Sequence, residues 1–328
     1  MLSSELEIQN LKVSFSTPKG KLVAVNDISF QLKPGETLAL VGESGCGKTV
    51  TALSILRLLP EPPAEIVNGK ILFAGEDLLS LNAKALQNLR GRSISMIFQD
   101  PMTSLNPVLT VGEQIAETLL RHTSMNRQEA LKKSVDLLSR VELSSPEEKL
   151  SYYPHQLSGG MRQRVMIAMA LACSPKILIA DEPTTALDVL IQAQILELLD
   201  DLKKESGMSI LIITHDLGVV SEIAQRVLVM YAGEIVESGP TQALLESPLH
   251  PYTKGLISSV PKLGFKKKPG TRLKEISGNV PSLDHRPSGC PFHLRCDWVM
   301  ETCKSQNPPL QQLDDQRQFR CHLEPGSI

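Results

Sequence analysis

The most constraining feature of this chain is a glycine-rich turn that joins an apolar segment to a helix-forming segment. Residues 38–41 form an apolar run typical of a buried strand, and residues 50–59 favour a helix. Between them the pattern G-x-x-x-x-G-K-S/T is matched by Gly42, Gly47, Lys48 and Thr49. In this pattern, backbone N–H groups and the helix N-terminus surround phosphates, the lysine reaches the terminal phosphates, and the hydroxyl binds Mg²⁺. The sequence therefore predicts a strand, a phosphate-binding loop and a helix in succession.

The alternative interpretation of this loop is a glycine-rich turn that binds nothing. The pattern should occur by chance in about 1% of chains of this length, which makes that alternative the weaker one. Cys46 lies inside the loop and is either a small filler or an oxidant-sensitive thiolate at a helix N-terminus, and the filler is favoured. The predicted nucleotide contacts of the loop are Gly42, Glu43, Ser44, Gly45, Cys46, Gly47, Lys48, Thr49 and Val50.

Composition excludes several classes of protein. The 328 residues carry a formal net charge of -2, which offers no basic footprint for wrapping nucleic acid. Apolar runs stay well short of the roughly 18 residues of a membrane span, and the N-terminus has no signal-peptide pattern. We therefore expect a cytosolic protein that reaches a membrane only through a partner. Six cysteines in such a chain argue against a disulfide framework.

Polar side chains follow three further apolar strands. Asp181 and Glu182 come after the run 177–180, Gln99 follows the strand 93–98, and His215 follows the strand 208–214. Because parallel strands present their carboxyl ends at one sheet edge, we expect these side chains to lie beside the phosphate loop. Gln99 is otherwise a strand-end cap, and a lone histidine at a strand end is usually structural. The predicted catalytic residues are Glu182, His215, Gln99 and Lys48, and the predicted Mg²⁺ ligands are Thr49, Gln99 and Asp181.

Two other segments carry candidate ligand contacts. Ser158, Gly159 and Gly160 open a helix, so they predict either an anion site or an ordinary helix cap. Phe15, in the first predicted strand, either stacks on a base or packs in the core. Residues 110–150, which precede Ser158 in the chain, are helix formers with helical apolar spacing. A mostly helical insertion is therefore expected.

Taken together and in order, these motifs resemble the ATP-binding subunit of an ABC transporter over about residues 5–245. The resemblance implies an α/β fold: a P-loop (RecA-like) core with an antiparallel β subdomain, a helical insertion at about 100–160, and a small loop-rich C-terminal domain. The expected ATPase domain spans residues 1–250, and the C-terminal domain spans residues 251–328. One departure is Met161, where the family usually has glutamine, and we expect tuned rather than lost activity.

The resemblance also implies a mechanism. Two subunits would sandwich two ATP molecules head to tail, with each phosphate loop facing Ser158, Gly159 and Gly160 of the other subunit. Asp188 would couple the two sites, and closure of the pair would drive two polytopic permease subunits at the cytoplasmic face of the membrane. The second ATPase subunit would be a paralogue or another copy of this chain. The predicted nucleotide contacts outside the phosphate loop are Phe15, Gln99, Ser158, Gly159, Gly160, Asp181 and Asp188.

Two segments, residues 98–107 and 247–253, resemble the subgroup that imports oligopeptides and dipeptides. The peptide would be captured by an extracellular receptor and would never touch this chain. Nickel or another small solute is the alternative cargo. Other classes weighed against transport are a soluble ABC protein acting on DNA or ribosomes, which usually carries two cassettes, and a simple P-loop kinase. A kinase would leave residues 157–161 and His215 unexplained.

Four cysteines crowd into the C-terminal tail, separated by five, six and seventeen residues: Cys290, Cys296, Cys303 and Cys321. Four thiolates suit either an iron-sulfur cluster or tetrahedral zinc, and these spacings match neither common pattern. Reduced free cysteines are the third interpretation of the residues. The resemblance to peptide importers favours a 4Fe-4S cluster over Zn²⁺. A tail with so little apolar periodicity also needs a staple to fold, which favours a bound metal.

Overall fold

The computed structural model describes residues 4–185, 187–259 and 276–328. Its strands in chain order are β1 Leu6–Thr17, β2 Gly20–Leu32, β3 Thr37–Val41, β4 Ala64–Phe73, β5 Glu76–Asp77, β6 Ile94–Ile97, β7 Ile177–Asp181, β8 Ser209–Thr214, β9 Arg226–Tyr231, β10 Glu234–Pro240, β11 Gln311–Gln312 and β12 Gln318–Phe319. Its α-helices are α1 Lys48–Ile55, α2 Ala83–Leu89, α3 Pro101–Ser104, α4 Val111–His122, α5 Arg127–Arg140, α6 Pro146–Lys149, α7 Gly159–Leu171, α8 Val189–Ser206, α9 Leu217–Ile223, α10 Thr241–Glu246, α11 Pro251–Ser259 and α12 Glu301–Ser305.

The chain divides into two compact units. The described residues of the first unit come from 1–6, 32–36 and 72–213, and those of the second come from 7–31, 37–71 and 214–328. Within the part of the chain that the structure describes, no helix is long and apolar enough to cross a lipid bilayer.

The first unit contains a run of parallel strands with the order β6-β7-β8. Ile94 pairs with Ile177, and Ile177 pairs with Ser209. Every residue of β7 is buried, which explains why its sequence is continuously apolar up to its terminal aspartate. Because the strands are parallel and in register, the residues that follow β6 and β7 emerge at the same edge.

Helices α4 and α5 lie in the helical insertion expected from the sequence, and both pack against each other and against α7 in the first unit. Capping boxes begin α4 and α5, through Thr110 with Glu113 and through Asn126 with Glu129. Their apolar faces are buried, as shown by Leu119 of α4 and by Leu137 and Leu138 of α5. Strands β4 and β5 form a hairpin, with Phe73 opposite Glu76.

The second unit contains β3 parallel to β9, followed by antiparallel β10, β12 and β11. Strands β2, β1 and β4 are neighbours in a separate sheet. Strands β9 and β10 form a hairpin, with Glu234 opposite Tyr231. The pairing of β12 with β10, through Phe319 and Glu237, was not predicted, and it adds the C-terminal tail to the edge of the sheet.

Candidate active site

Two glycines shape the phosphate loop that follows β3. A Cβ atom on Gly42 would lie 2.2 Å from the carbonyl oxygen of Met230. Gly47 has a φ of 110°, and a Cβ atom there would lie 2.7 Å from the carbonyl oxygen of Ala24. Only glycine allows the backbone to approach its neighbours this closely, so the loop needs glycine at both positions.

Lys48 begins α1 and bends back over the loop. Its side chain is only 5% exposed, and its Nζ donates to the carbonyl oxygens of Gly42 at 2.7 Å and Glu43 at 3.1 Å. Gly47 caps α1 without a side-chain hydrogen bond, so the backbone N–H groups of the first turn have no capping oxygen from it. Thr49 lies exposed in that turn. The loop thus combines a cation with a helix N-terminus, which is the arrangement that binds phosphate.

Cys46 fits the filler interpretation better than the sensor interpretation. The side chain is buried, and burial raises the pKa of its thiol despite the nearby Lys48. A raised pKa lowers the thiolate fraction on which oxidation depends.

Glu43, the second residue of the loop, has two partners that the sequence did not reveal. Its N–H donates to the hydroxyl of Tyr252 at 2.8 Å. Its carboxylate accepts from both terminal nitrogens of Arg295, at 2.6 and 3.0 Å. These partners lie 209 and 252 positions away in the sequence, and no local pattern links them to the loop.

His215, which follows β8, lies exposed at a cleft of about 430 Å³ that Gly42, Glu43 and Ser44 also line. The structure therefore brings the histidine close to the phosphate loop within the second unit, as the strand-end argument predicted. Leu256, which also lines this cleft, belongs to α11.

The carboxylate of Glu182 is held in place in the first unit. Gln99 Nε2 donates to Glu182 Oε2 at 3.1 Å, and Thr185 Oγ1 donates to the same oxygen at 2.8 Å. Glu182 is 9% exposed, has a φ of 47°, and donates its N–H to the carbonyl of Ile213. Asp181, just before it, is buried at the end of β7. Gln99 and Glu182, two of the predicted catalytic residues, are thus in contact, and Thr185 is a partner that the sequence analysis missed.

Ser158 and Asp188 both cap helices. Ser158 Oγ accepts from the N–H of Met161 at 3.4 Å at the start of α7, and Asp188 accepts from Ile191 at 3.0 Å at the start of α8. The two helix starts are adjacent, because a Cβ atom on Gly160 would lie 3.1 Å from Cγ2 of Ile191. Both capping residues are exposed. Phe15 is half-buried on β1.

The four tail cysteines are free thiols. Burial, and then the charges of the other three tail cysteines, raise the pKa of Cys290 to about 12, and burial raises that of Cys296 to about 11. Among residues 4–185, 187–259 and 276–328, no three or more His, Cys, Asp or Glu side chains are grouped so as to hold a metal ion. The four predicted donors of a 4Fe-4S or Zn²⁺ centre all lie in the tail, and the centre itself stays a prediction.

Comparison with known proteins supports this description of the fold. Residues 25–185 match the ABC transporter family, and residues 236–303 match the oligopeptide/dipeptide transporter C-terminal region. The dipeptide transport ATP-binding protein of Bacillus subtilis is 52% identical over 319 residues, which cover 97% of this chain and 94% of that protein. The oligopeptide transport ATP-binding protein of the same organism is 51% identical over 310 residues, or 94% and 86% of the two chains.

A solved structure gives the same result for the fold. The dimeric post-hydrolysis state of an ATP-binding cassette bound to ADP and Pi has a TM-score of 0.65 and 28% identity, and covers 72% of this chain and 98% of that one. The fold is that of an ABC-type ATPase. The chain belongs to the family of ABC transporter ATP-binding proteins that carry the oligopeptide/dipeptide transporter C-terminal region.

Proposed function

We propose that this protein is the ATP-hydrolysing subunit of an importer for dipeptides or oligopeptides. The phosphate loop with buried Lys48 is the observation that carries the ATP-binding part of the proposal. The cargo is supported by the C-terminal region at residues 236–303 and by relatives named for dipeptide and oligopeptide transport.

In this proposal the residues of the chain divide the work on ATP. The N–H groups of residues 42–49 and the Nζ of Lys48 bind phosphate oxygens, and His215 contacts the terminal phosphate. Oxygen donors of the kind that Mg²⁺ prefers come from Thr49, Gln99 and Asp181, and the ion would neutralise charge on the phosphates. Glu182 orients the attacking water and accepts its proton, because Gln99 and Thr185 hold its carboxylate in one orientation.

The expected partners follow from the same family. A second ATPase subunit would place its Ser158, Gly159 and Gly160 against the ATP bound here, with Asp188 linking the two sites. Two permease subunits would receive the motion at the cytoplasmic face of the membrane, and an extracellular receptor would supply the peptide. Phe15 is proposed to stack on the adenine base, and residues 1–250 and 251–328 are proposed as the two domains.

The experiment that tests the function compares Glu182→Gln with Glu205→Gln, an equally conservative change at an exposed glutamate paired with Arg140. Loss of the proton acceptor should lower kcat for ATP hydrolysis by about 10²-fold or more, while ATP still binds. In cells that lack the natural protein, Glu182→Gln should also fail to restore uptake of labelled dipeptides, whereas Glu205→Gln should restore it. Normal hydrolysis by Glu182→Gln would refute the role of this residue, and restoration of nickel uptake instead of peptide uptake would refute the cargo.

We further propose that Cys290, Cys296, Cys303 and Cys321 are the donor set of a metal centre, with a 4Fe-4S cluster preferred over Zn²⁺. The support is the donor chemistry of four thiols together with the closeness of two of these residues, since the N–H of Cys290 donates to the carbonyl oxygen of Cys303 at 2.8 Å. Protein purified without oxygen should absorb light at about 400 nm and should contain iron and sulfide. Cys303→Ser should abolish both signals, and Cys173→Ser, outside the tail, should retain them. Colourless protein with stoichiometric zinc would refute the cluster, and metal-free protein would refute the centre.

A further inference from the structure

We propose that Arg295 is a positioning residue of the phosphate loop, which pairs with Glu43 so that its carboxylate does not oppose the binding of ATP phosphates. This proposal rests on the proposed function, because it requires that ATP binds at residues 42–49. Nothing in the chemistry of the loop itself demands the arginine, which lies in the C-terminal tail.

The pair between Arg295 and Glu43 is bidentate and shielded. The two terminal guanidinium nitrogens donate to the two carboxylate oxygens at 2.6 and 3.0 Å. The side chain of Arg295 is only 6% exposed. Bidentate pairs of this kind fix the orientation of both groups as well as their charge. Glu43 is therefore held toward the tail of the chain.

The guanidinium is itself held on several sides. Its Nε donates to the carbonyl of Ser277 at 2.9 Å, and Nη1 lies 3.4 Å from the hydroxyl of Tyr231. Its central carbon lies 5.8 Å from the ring centre of Tyr231 and 5.9 Å from that of Phe292. An arginine with this many fixed partners loses little further freedom when it pairs with Glu43, so it offers a preformed socket for the carboxylate.

The same aromatic cluster also holds the backbone of the loop. Tyr252, whose hydroxyl accepts from the N–H of Glu43, packs against Tyr231 and Phe292 with ring centres 4.7 and 5.4 Å apart. Both the backbone and the side chain of Glu43 are therefore fixed by one cluster of the second unit. Glu43 carries the only carboxylate of the loop, and it is held both through its backbone and through its side chain.

The electrostatic consequence follows from where Glu43 lies. Together with Gly42 and Ser44 of the same phosphate loop, Glu43 lines the cleft. An unpaired carboxylate there would repel the negative charges of ATP, and this repulsion is stronger in a partly buried site than in water. Arg295 cancels that charge. Attachment of the tail alone is a weaker explanation for the pair of Arg295 and Glu43. Two other ion pairs, Arg286 with Glu234 and Arg317 with Glu237, already join the tail to β10.

The test is a double-mutant cycle measured as Kd for ATP and ADP on the full chain. Arg295→Gln should weaken ATP binding about tenfold, and ADP binding less, because ADP carries less charge. Adding Glu43→Gln to that variant should restore ATP binding to within about threefold of wild type, since the repelling charge is gone. The matched control is Arg286→Gln, which removes another arginine–glutamate pair of the tail and should leave ATP binding unchanged.

Two results would overturn the proposal: undiminished ATP binding by Arg295→Gln, or a loss that Glu43→Gln does not reverse, as expected for a merely structural arginine. If Arg295→Gln does not fold, Glu43→Asp decides. It keeps the charge but is too short for the bidentate pair, so it should bind ATP more weakly than Glu43→Gln, and equal affinities would refute the proposal. Wild-type protein that binds no ATP would overturn the proposed function as well, whereas wild-type binding that is lost in Lys48→Ala and kept in Arg295→Gln overturns the positioning role alone.

Discussion

A single residue, His250, shows how the chain fastens the segment after β10. The imidazole is fully buried, and its Nδ1 accepts from the N–H of Tyr252 at 3.0 Å in the first turn of α11. The backbone N–H of His250 donates to Glu237 Oε2 at 2.9 Å. Burial lowers the pKa of His250 from 6.5 to about 3, so the ring is neutral in the folded protein. Tyr252 contacts the phosphate loop, which makes this neutral cap a support of the proposed ATP site.

We predict that His250 makes the protein lose stability as the pH falls. The pKa is lower in the folded protein than in the unfolded chain, so the unfolded chain binds the extra proton first. The contribution is complete above about pH 6.5 and is lost progressively down to about pH 3. At pH 5.5 the free energy of unfolding should already have fallen by about 1.4 kcal/mol relative to pH 7.5 through this group. Urea unfolding at the two pH values measures it.

The matched variant for that measurement is His250→Asn, whose side-chain oxygen accepts from the same helix N–H but does not titrate in this range. Glu237, which accepts from the backbone of residue 250, and its partner Arg317 are present in both proteins, so their contributions cancel. The variant should lose less stability than wild type between pH 7.5 and 5.5. Equal losses would mean that His250 does not control this part of the pH dependence.

At the scale of elements, the sequence predicts what local periodicity determines. β7 and β8 lie within a residue or two of their predicted bounds, because a buried parallel strand is apolar on both faces and ends abruptly at polar residues. Helix α8 begins at Val189, although the exposed side chains of Val189 and Leu190 do not follow an amphipathic pattern. Asp188, the capping residue, marks the true start.

Non-local contacts are what the sequence does not predict. The two-residue strand β12 is defined by its partner β10 and has no pattern of its own. The pair of Glu43 and Arg295 joins two residues whose types are ordinary in their local settings. The cysteine spacing predicts donor types for a metal, yet the placement of four sulfurs depends on how the tail folds. Motifs with a fixed local geometry can therefore be predicted from the sequence, and tertiary partners such as Tyr252 of Glu43 cannot.

At the scale of the whole molecule, each compact unit carries part of the proposed ATP chemistry. The second unit holds the phosphate loop and His215, and the first holds Gln99, Asp181 and Glu182. The first unit also exposes Ser158 and Asp188 beside two apolar side chains, Val189 at 84% and Leu190 at 69% exposure. Exposed apolar residues next to ligand-binding candidates are typical of a surface that is covered when a partner binds.

We predict that ATP brings two copies of this chain together through that surface. Glu182→Gln should trap the dimer, because ATP binds but is not hydrolysed, and sedimentation with ATP should show twice the monomer mass, with ADP giving monomers. Adding Val189→Asp to Glu182→Gln should weaken the dimer about tenfold or more, since a carboxylate would have to be buried where an apolar side chain was. Leu294→Asp, at an equally exposed position in the second unit, is the control and should leave dimerisation unchanged. Monomers at every ATP concentration would rule out a homodimer. A paralogous ATPase would then be added as the partner in the same measurement. Val189→Asp should again weaken the association.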